Sequence, residues 1–216
     1  NPSGVVLSRR SLERMAEILR APAGKTGSLP FLICDEPYRE LVYGGVEVPY
    51  VPALYENTMV CYSFSKSMSI PGERIGYIAL GADMPDWQEV YASVMGAGRA
   101  LGYVNPPSLF QRVAERCIGR IADVSQYREN RDLLCSSLRA AGFECIEPQG
   151  AFYLFMRSPE PDAMAFSERA KRHELMLVPG DDFGCPGYVR IAYCVPASQI
   201  ERSRGALALL AREYGL

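Results

Sequence analysis

Residues 59–80 read MVCYSFSKSMSIPGERIGYIAL. Two short runs rich in apolar residues, 59–64 and 74–80, flank a polar loop. An apolar run of this length, bounded by turn residues, is the pattern of a strand buried on both faces. The first strand ends at Ser65 and Lys66, Pro71 and Gly72 supply a turn, and Arg74 opens the next strand. Upstream, FLIC at 31–34 reads as another buried strand, and it too runs into polar residues: Asp35, Glu36, Pro37 and Tyr38.

Working outward, helices and strands alternate. Ser8 or Ser11 can cap a helix over 11–20, with Leu12, Met15, Ile18 and Leu19 on one face. APAGKTGSLP at 21–30 reads as a loop from its Pro, Gly and Ser content. Helices are expected over 85–100, 107–121 and 125–141, the last stopped by Gly142. Short strands follow near 143–147, 152–156, 175–178 and 188–194, interleaved with helices near 162–173 and 197–213. The alternation predicts an α/β fold with a mainly parallel sheet in the first half. From about residue 125 the pattern changes to a smaller α+β unit, so the chain divides at 1–124 and 125–216.

Composition narrows the function classes. The 216 residues are 48% hydrophobic and 22% charged, with a formal net charge of −2. That is ordinary globular composition, and a chain of this size can bury roughly 70% of its unfolded surface. It carries no electrostatic footprint for nucleic acid or an anionic membrane. No apolar run reaches the ~18 residues of a membrane span, and no secretory signal opens the chain. The expectation is a cytoplasmic protein without nucleic-acid or membrane partners. The seven cysteines, 34, 61, 117, 135, 145, 185 and 194, lack CxxC spacing and mostly sit in apolar runs. They read as reduced buried thiols, not a disulfide framework or a zinc site. The single histidine, His173, lies in the charged stretch AFSERAKRHEL and reads as a solvated residue at a helix C-terminus. A Ser-His-Asp triad or a His-rich metal site therefore has at most one candidate, and no metal is expected. The opening NPSG reads as a turn entering a helix, and a start inside a turn suggests part of a longer chain.

The chemistry sits at strand ends. In open α/β sheets the carboxyl ends of the strands form the ligand crevice. Asp35 and Tyr38 follow one strand, and Ser63, Ser65 and Lys66 end the next. If the loop at Pro71 and Gly72 folds back, Arg74 returns to the side of Lys66. Taken singly, each has an ordinary explanation: a helix cap, a solvated lysine, a surface ion pair, serines satisfying local backbone. Together they converge on one ligand. A cation and hydroxyls suit a phosphate monoester. A partly desolvated lysine forms a Schiff base with an aldehyde. A buried carboxylate keeps a pyridine nitrogen protonated and makes the ring an electron sink. A phenol can hydrogen-bond the ring oxygen. That set describes pyridoxal 5′-phosphate.

Asn1-Pro2-Ser3-Gly4, Asp35-Glu36-Pro37-Tyr38, and Ser63-Phe64-Ser65-Lys66 followed by Pro71-Gly72-Glu73-Arg74-Ile75-Gly76 resemble the signatures of class I/II aminotransferases, fold type I of the pyridoxal-phosphate enzymes. Order and spacing match along nearly the whole chain. The resemblance implies the C-terminal part of the large cofactor domain followed by the small domain. It makes Lys66 the Schiff-base lysine and the base that moves the substrate Cα proton. It pairs Asp35 with the pyridinium nitrogen, sets Tyr38 and Asn1 on the 3-oxygen, and gives the phosphate to Ser63, Ser65 and Arg74. It implies a ping-pong exchange between an L-amino acid and a 2-keto acid, with aspartate favoured. It also implies a homodimer in which a partner residue reaches the phosphate, and further phosphate-binding and ring-stacking residues upstream, so that this piece alone would show little activity.

Arg190 interrupts the apolar strand GYVRIAYC and needs an anionic partner. The alternatives are a structural ion pair or, by the resemblance, the substrate α-carboxylate. Phe152 in GAFYLF borders the pocket or serves as a core aromatic. Other functions keep the same residues: a C–S lyase, a cyclopropane-forming synthase, the effector-binding domain of a transcription regulator, or a non-catalytic folding or dimerisation piece.

Overall fold

The computed structural model describes all residues except Ala23, Lys25 and Thr26. The loop expected over 21–30 lies in part on those three, outside the described residues. The chain forms two compact units: an N-terminal one of residues 7–40 and 47–122, and a C-terminal one of residues 1–6, 41–46 and 123–216.

The N-terminal unit opens with α1 (Arg9–Arg20). Ser8 is its cap: the Ser8 hydroxyl accepts from the Ser11 backbone N–H at 3.1 Å, so the helix starts before the expected residue 11. The sheet is β1 (Leu32–Asp35), β2 (Thr58–Ser63) and β3 (Gly76–Leu80), in that spatial order. β1 and β2 are parallel and β3 is antiparallel to β2, so the sheet is mixed where a mainly parallel one was expected. The β2–β3 link holds a one-turn helix, α2 (Phe64–Ser67), and a tight turn at Pro71–Glu73. That turn reverses the chain; a parallel return would need a full crossover.

β2 alternates buried Thr58, Val60 and Tyr62 with half-buried residues. β1 is not buried on both faces. It lies at the sheet edge, and Ile33 and Asp35 are exposed. α3 (Trp87–Ala100) and α4 (Ser108–Cys117) follow. α4 stops short of the expected 121, because Ile118 leaves helical geometry and Gly119 takes φ +79°.

The C-terminal unit contains α5 (Ser125–Ala140), β4 (Tyr153–Arg157), α6 (Ala163–Lys171), β5 (Val178–Pro179), β6 (Tyr188–Ala192) and α7 (Ala197–Glu213). Its sheet is antiparallel, in the order β4-β6-β5. The strand expected near 143–147 reduces to one bridge, Cys145 to Met156. Leu138, Leu154, Met156, Phe166, Val189 and Leu210 form a fully buried core. Residues 1–6 belong here and do not lead directly into a helix. The Gly4 carbonyl accepts from Gln149 N–H (2.8 Å) and Gly150 N–H (3.0 Å). A Cβ at Gly4 would stand 2.6 Å from the Pro148 side chain, and its φ is +70°, so the position requires glycine. Leu41 and Val42 join by a hydrogen bond to Ala151 and a bridge to Gly150.

His173 is only partly solvated: its side chain is 18% exposed and its Nε2 lies 2.7 Å from Glu213 Oε1. All seven cysteines are free thiols, and Cys185 and Cys194 are exposed where burial was expected. No described helix is long and apolar enough to cross a membrane.

Candidate active site

The N-terminal unit gathers most of the expected residues at one end of its sheet. Asp35 pairs in register with Cys61, and Glu36 N–H donates to the Cys61 carbonyl at 2.9 Å. The segments after β1 and β2 therefore leave the sheet at the same carboxyl end. Arg39 clamps the segment after β1, donating to Glu36 Oε2 (2.7 Å) and the Val48 carbonyl (2.9 Å). Tyr38 sits half-buried in that turn.

Ser63 ends β2 in extended geometry and caps α2, its hydroxyl accepting from Ser65 N–H at 3.1 Å. The Ser63 and Ser65 hydroxyls are 2.6 Å apart. Lys66 is in the single turn of α2, half-buried. Beneath this turn, the buried Tyr62 hydroxyl bonds Ser67 Oγ (2.8 Å) and Glu40 Oε1 (2.9 Å). Burial pushes the Tyr62 phenol up to about 12, so it stays a neutral hydrogen-bonding strut.

The antiparallel pairing of β3 brings Arg74 to this end. Ser63 faces Gly76, and Phe64 N–H donates to the Ile75 carbonyl at 3.1 Å. Arg74 adopts φ +51° at the corner, is exposed, and donates to the Pro71 carbonyl at 2.9 Å. Gly76 permits the approach: a Cβ there would lie 2.2 Å from the Tyr62 carbonyl oxygen. One expectation is corrected. Asp35 is exposed in this sheet, not buried, because it lies on the edge strand.

The C-terminal unit holds Asn1, Phe152 and Arg190. Arg190 is on the central strand β6, with Phe155 and Val178 as its neighbours in register. Among the described residues it has no ion pair with a carboxylate. Its guanidinium carbon lies 4.5 Å from the Tyr153 ring centroid and 4.6 Å from that of Phe183, and Nη1 donates to Asn1 Oδ1 at 2.9 Å. Its Nε is buried and has no hydrogen-bond partner among the described residues. The rings fix the guanidinium plane through cation–π contact while leaving donor capacity unspent. Phe152 is buried against the rings of Tyr127 and Tyr153.

Tyr153 and Phe183 were not singled out from the sequence. Tyr153 could have been, since an antiparallel partner places it diagonally across from Arg190. Phe183 lies in a short turn, Asp181–Phe183, where no periodicity points to it.

The donor set fits a phosphate-bearing aldehyde: an amine, two hydroxyls and a guanidinium at one strand end, with a carboxylate on the neighbouring strand. The unspent Arg190 donor fits a carboxylate. Among the described residues no cluster of His, Cys, Asp and Glu could hold a metal ion.

Comparison with known proteins agrees with this chemistry. The profile of "Aminotransferase class I and II" matches residues 1–207. The chain is 31% identical to the aspartate/prephenate aminotransferase of Thermus thermophilus, over 100% of this chain and 54% of the relative. It is 30% identical to the aspartate aminotransferase of Geobacillus stearothermophilus, over 93% and 52%. An aminotransferase structure from Eubacterium rectale superposes with a TM-score of 0.97 at 47% identity, covering 100% of this chain and 54% of that one. The aspartate aminotransferase structure from Thermotoga maritima gives a TM-score of 0.81 at 26% identity, covering 98% and 54%. The chain spans about half the length of the curated relatives it matches. By its motifs, its fold and these matches, the chain belongs to the class I and II aminotransferase family.

Proposed function

We propose that the intact protein is a pyridoxal-phosphate-dependent aminotransferase that moves an amino group from an L-amino acid, aspartate in the first instance, to a 2-keto acid. The observation that carries this reading is the end of β2, where Ser63, Ser65 and Lys66 follow one another at the same end of the sheet to which β3 returns the backbone of Arg74. When bound, the cofactor supplies an electron sink that lets the substrate Cα–H bond break. Lys66 holds the cofactor through its amine, and its Nζ takes the Cα proton. Ser63, Ser65 and Arg74 bind the phosphate by charge-assisted hydrogen bonds. Asp35 holds the ring nitrogen protonated, and Tyr38 and Asn1 bond the ring oxygen. Arg190 takes the α-carboxylate, its plane already set by Tyr153 and Phe183, so less conformational freedom is lost on binding. That orientation selects which Cα bond breaks.

The amino acid leaves as its keto acid, and a second keto acid leaves as an amino acid. The aspartate preference is supported by relatives named aspartate aminotransferase. A homodimeric, cytoplasmic setting goes with this reading and is checked by sedimentation of the intact protein and by cell fractionation. The chain alone is expected to bind the cofactor weakly.

An amino-acid panel with 2-oxoglutarate as acceptor tests the reaction. The expected outcome is keto acid and glutamate in equal amounts. Ammonia released without an acceptor would instead identify a lyase.

A further inference from the structure

Two buried phenols of the C-terminal unit meet on one backbone carbonyl. Tyr43 is 3% exposed and Tyr193 0%. The Tyr43 hydroxyl donates to the Ala151 carbonyl, and the Tyr193 hydroxyl lies 3.2 Å from the same oxygen and 3.4 Å from the Tyr43 hydroxyl. A carbonyl has two lone pairs, so it accepts from both. Burial raises both phenols above their ordinary value, so each keeps its proton to donate.

The tyrosines are themselves held. The Arg131 guanidinium carbon lies 4.8 Å from the Tyr43 ring centroid, and Nη1 donates to the Pro148 carbonyl at 3.0 Å. The buried Asn130 donates to the Tyr193 carbonyl at 2.9 Å. Tyr193 N–H donates to the Phe152 carbonyl at 3.0 Å, so this one residue holds two successive carbonyls.

Ala151 needs holding. It is buried at φ +59°, a left-handed conformation that disfavours any residue with a Cβ and persists where the surroundings over-determine it. Two residues on, Tyr153 opens β4 opposite Ala192, and its ring lies 4.5 Å from the Arg190 guanidinium carbon. On the other side, Gly150 N–H donates to the Gly4 carbonyl at 3.0 Å, on the segment whose Asn1 accepts from Arg190 at 2.9 Å. Tyr153 and Asn1, which both hold Arg190, are thus anchored to the backbone on either side of Ala151.

We propose that Tyr43 and Tyr193 are positioning residues for carboxylate binding: their hydroxyls lock Ala151, and Ala151 sets the Tyr153 ring and the Asn1 segment that aim Arg190. The inference rests on Arg190 taking the substrate carboxylate, as in the proposed reaction. Each phenol backs up the other. Removing one hydroxyl leaves the carbonyl one donor, whereas removing both leaves it buried and unpaired. The loss in the double variant therefore exceeds the product of the single losses.

The test is calorimetry of 2-oxoglutarate binding to the intact protein loaded with pyridoxal phosphate. This keto acid carries the carboxylate and has no amine to exchange, so binding is read without turnover. Tyr43→Phe and Tyr193→Phe keep the rings and should each raise Kd about 2- to 5-fold, and the double variant about 30-fold or more. Cofactor content should stay at the wild-type level, and kcat within about twofold while KM follows Kd. Leu210→Val, a core change in the same unit, should lower the urea midpoint without moving Kd, which separates aim from stability. Unchanged Kd in the double variant, or an equal change in Leu210→Val, would overturn the proposal, as would a wild type that binds no 2-oxoglutarate. Should the double variant not fold, both single variants at the wild-type Kd would overturn it. Failure of the aminotransferase reading looks different: the ordered rise in Kd persists, but the amino-acid panel yields no glutamate.

Discussion

Arg190 places a fixed positive charge in the middle of a strand, and among the described residues it is held by two rings and an amide, not by a carboxylate. A lysine there keeps the charge but loses the planar fork and the stacking. Arg190→Lys in the intact enzyme is expected to lower kcat/KM for the amino acid by about 100-fold, roughly 2–3 kcal/mol. Phe183→Leu should raise KM about 3- to 10-fold with kcat nearly unchanged, roughly 1 kcal/mol of lost cation–π contact. Steady-state kinetics on aspartate check both, and an unchanged KM in Phe183→Leu would contradict the positioning role. The places of Lys66 at a strand end and of Arg190 inside a strand were legible from the apolar runs around them; the roles proposed for them came from the resemblance, because each charge taken singly has an ordinary use. Tyr153 was not legible, because an aromatic in an apolar stretch reads as core until its neighbour across the sheet is known, and Phe183 was not, because it lies in a short polar turn with no periodicity.

The reversal between β2 and β3 decides whether Arg74 reaches the end of the sheet where Lys66 lies. Gly76 is its tightest point, so Gly76→Ala forces the strands apart. The expected cost is at least about 2 kcal/mol, read as a lower urea midpoint. The existence of these strands was legible from their apolar runs, but the direction of β3 was not. Hydrophobic periodicity carries no sign: a fold-back at Pro71 and Gly72 stood only as a condition, and the reversal is set by a one-turn helix and a corner at Arg74, which read as the first residue of the strand. The exposure of β1 was hidden for a related reason: an edge strand and a central strand can share one sequence pattern.

A second element-level contact is pH-sensitive. Arg20, at the end of α1, donates to Glu56 at 2.6 Å and to the Leu54 carbonyl at 2.8 Å. The hydrogen bond from Arg20 holds the Glu56 carboxyl below its ordinary 4.5. A depressed carboxyl stabilises the fold above its unfolded value and loses that contribution as pH falls through its folded value. Both groups are partly exposed, so the effect is small. Thermal melts of Glu56→Gln should lie below wild type near pH ~6 and converge toward pH ~3.

At the scale of the whole molecule, the N-terminal unit leaves apolar groups in water. Ile33 is 61%, Leu101 74% and Tyr103 79% exposed, and α3 has no buried residue. Such faces bind hydrophobic dyes. The chain should enhance anilinonaphthalene sulfonate fluorescence well above buffer; an absence of enhancement would mean these faces are covered in solution. The change of pattern near residue 125 was legible from the sequence. The membership of residues 1–6 and 41–46 in the C-terminal unit was not, since it rests on Gly4 meeting Gln149 and Val42 meeting Gly150, pairings far apart in the chain.

The central claim is that Lys66 carries the cofactor. Borohydride reduction of the intact, pyridoxal-phosphate-loaded protein, followed by peptide mapping, tests it directly. The account predicts one phosphopyridoxyl adduct on Lys66, absent from Lys66→Ala. An adduct on another lysine, or none, would contradict it.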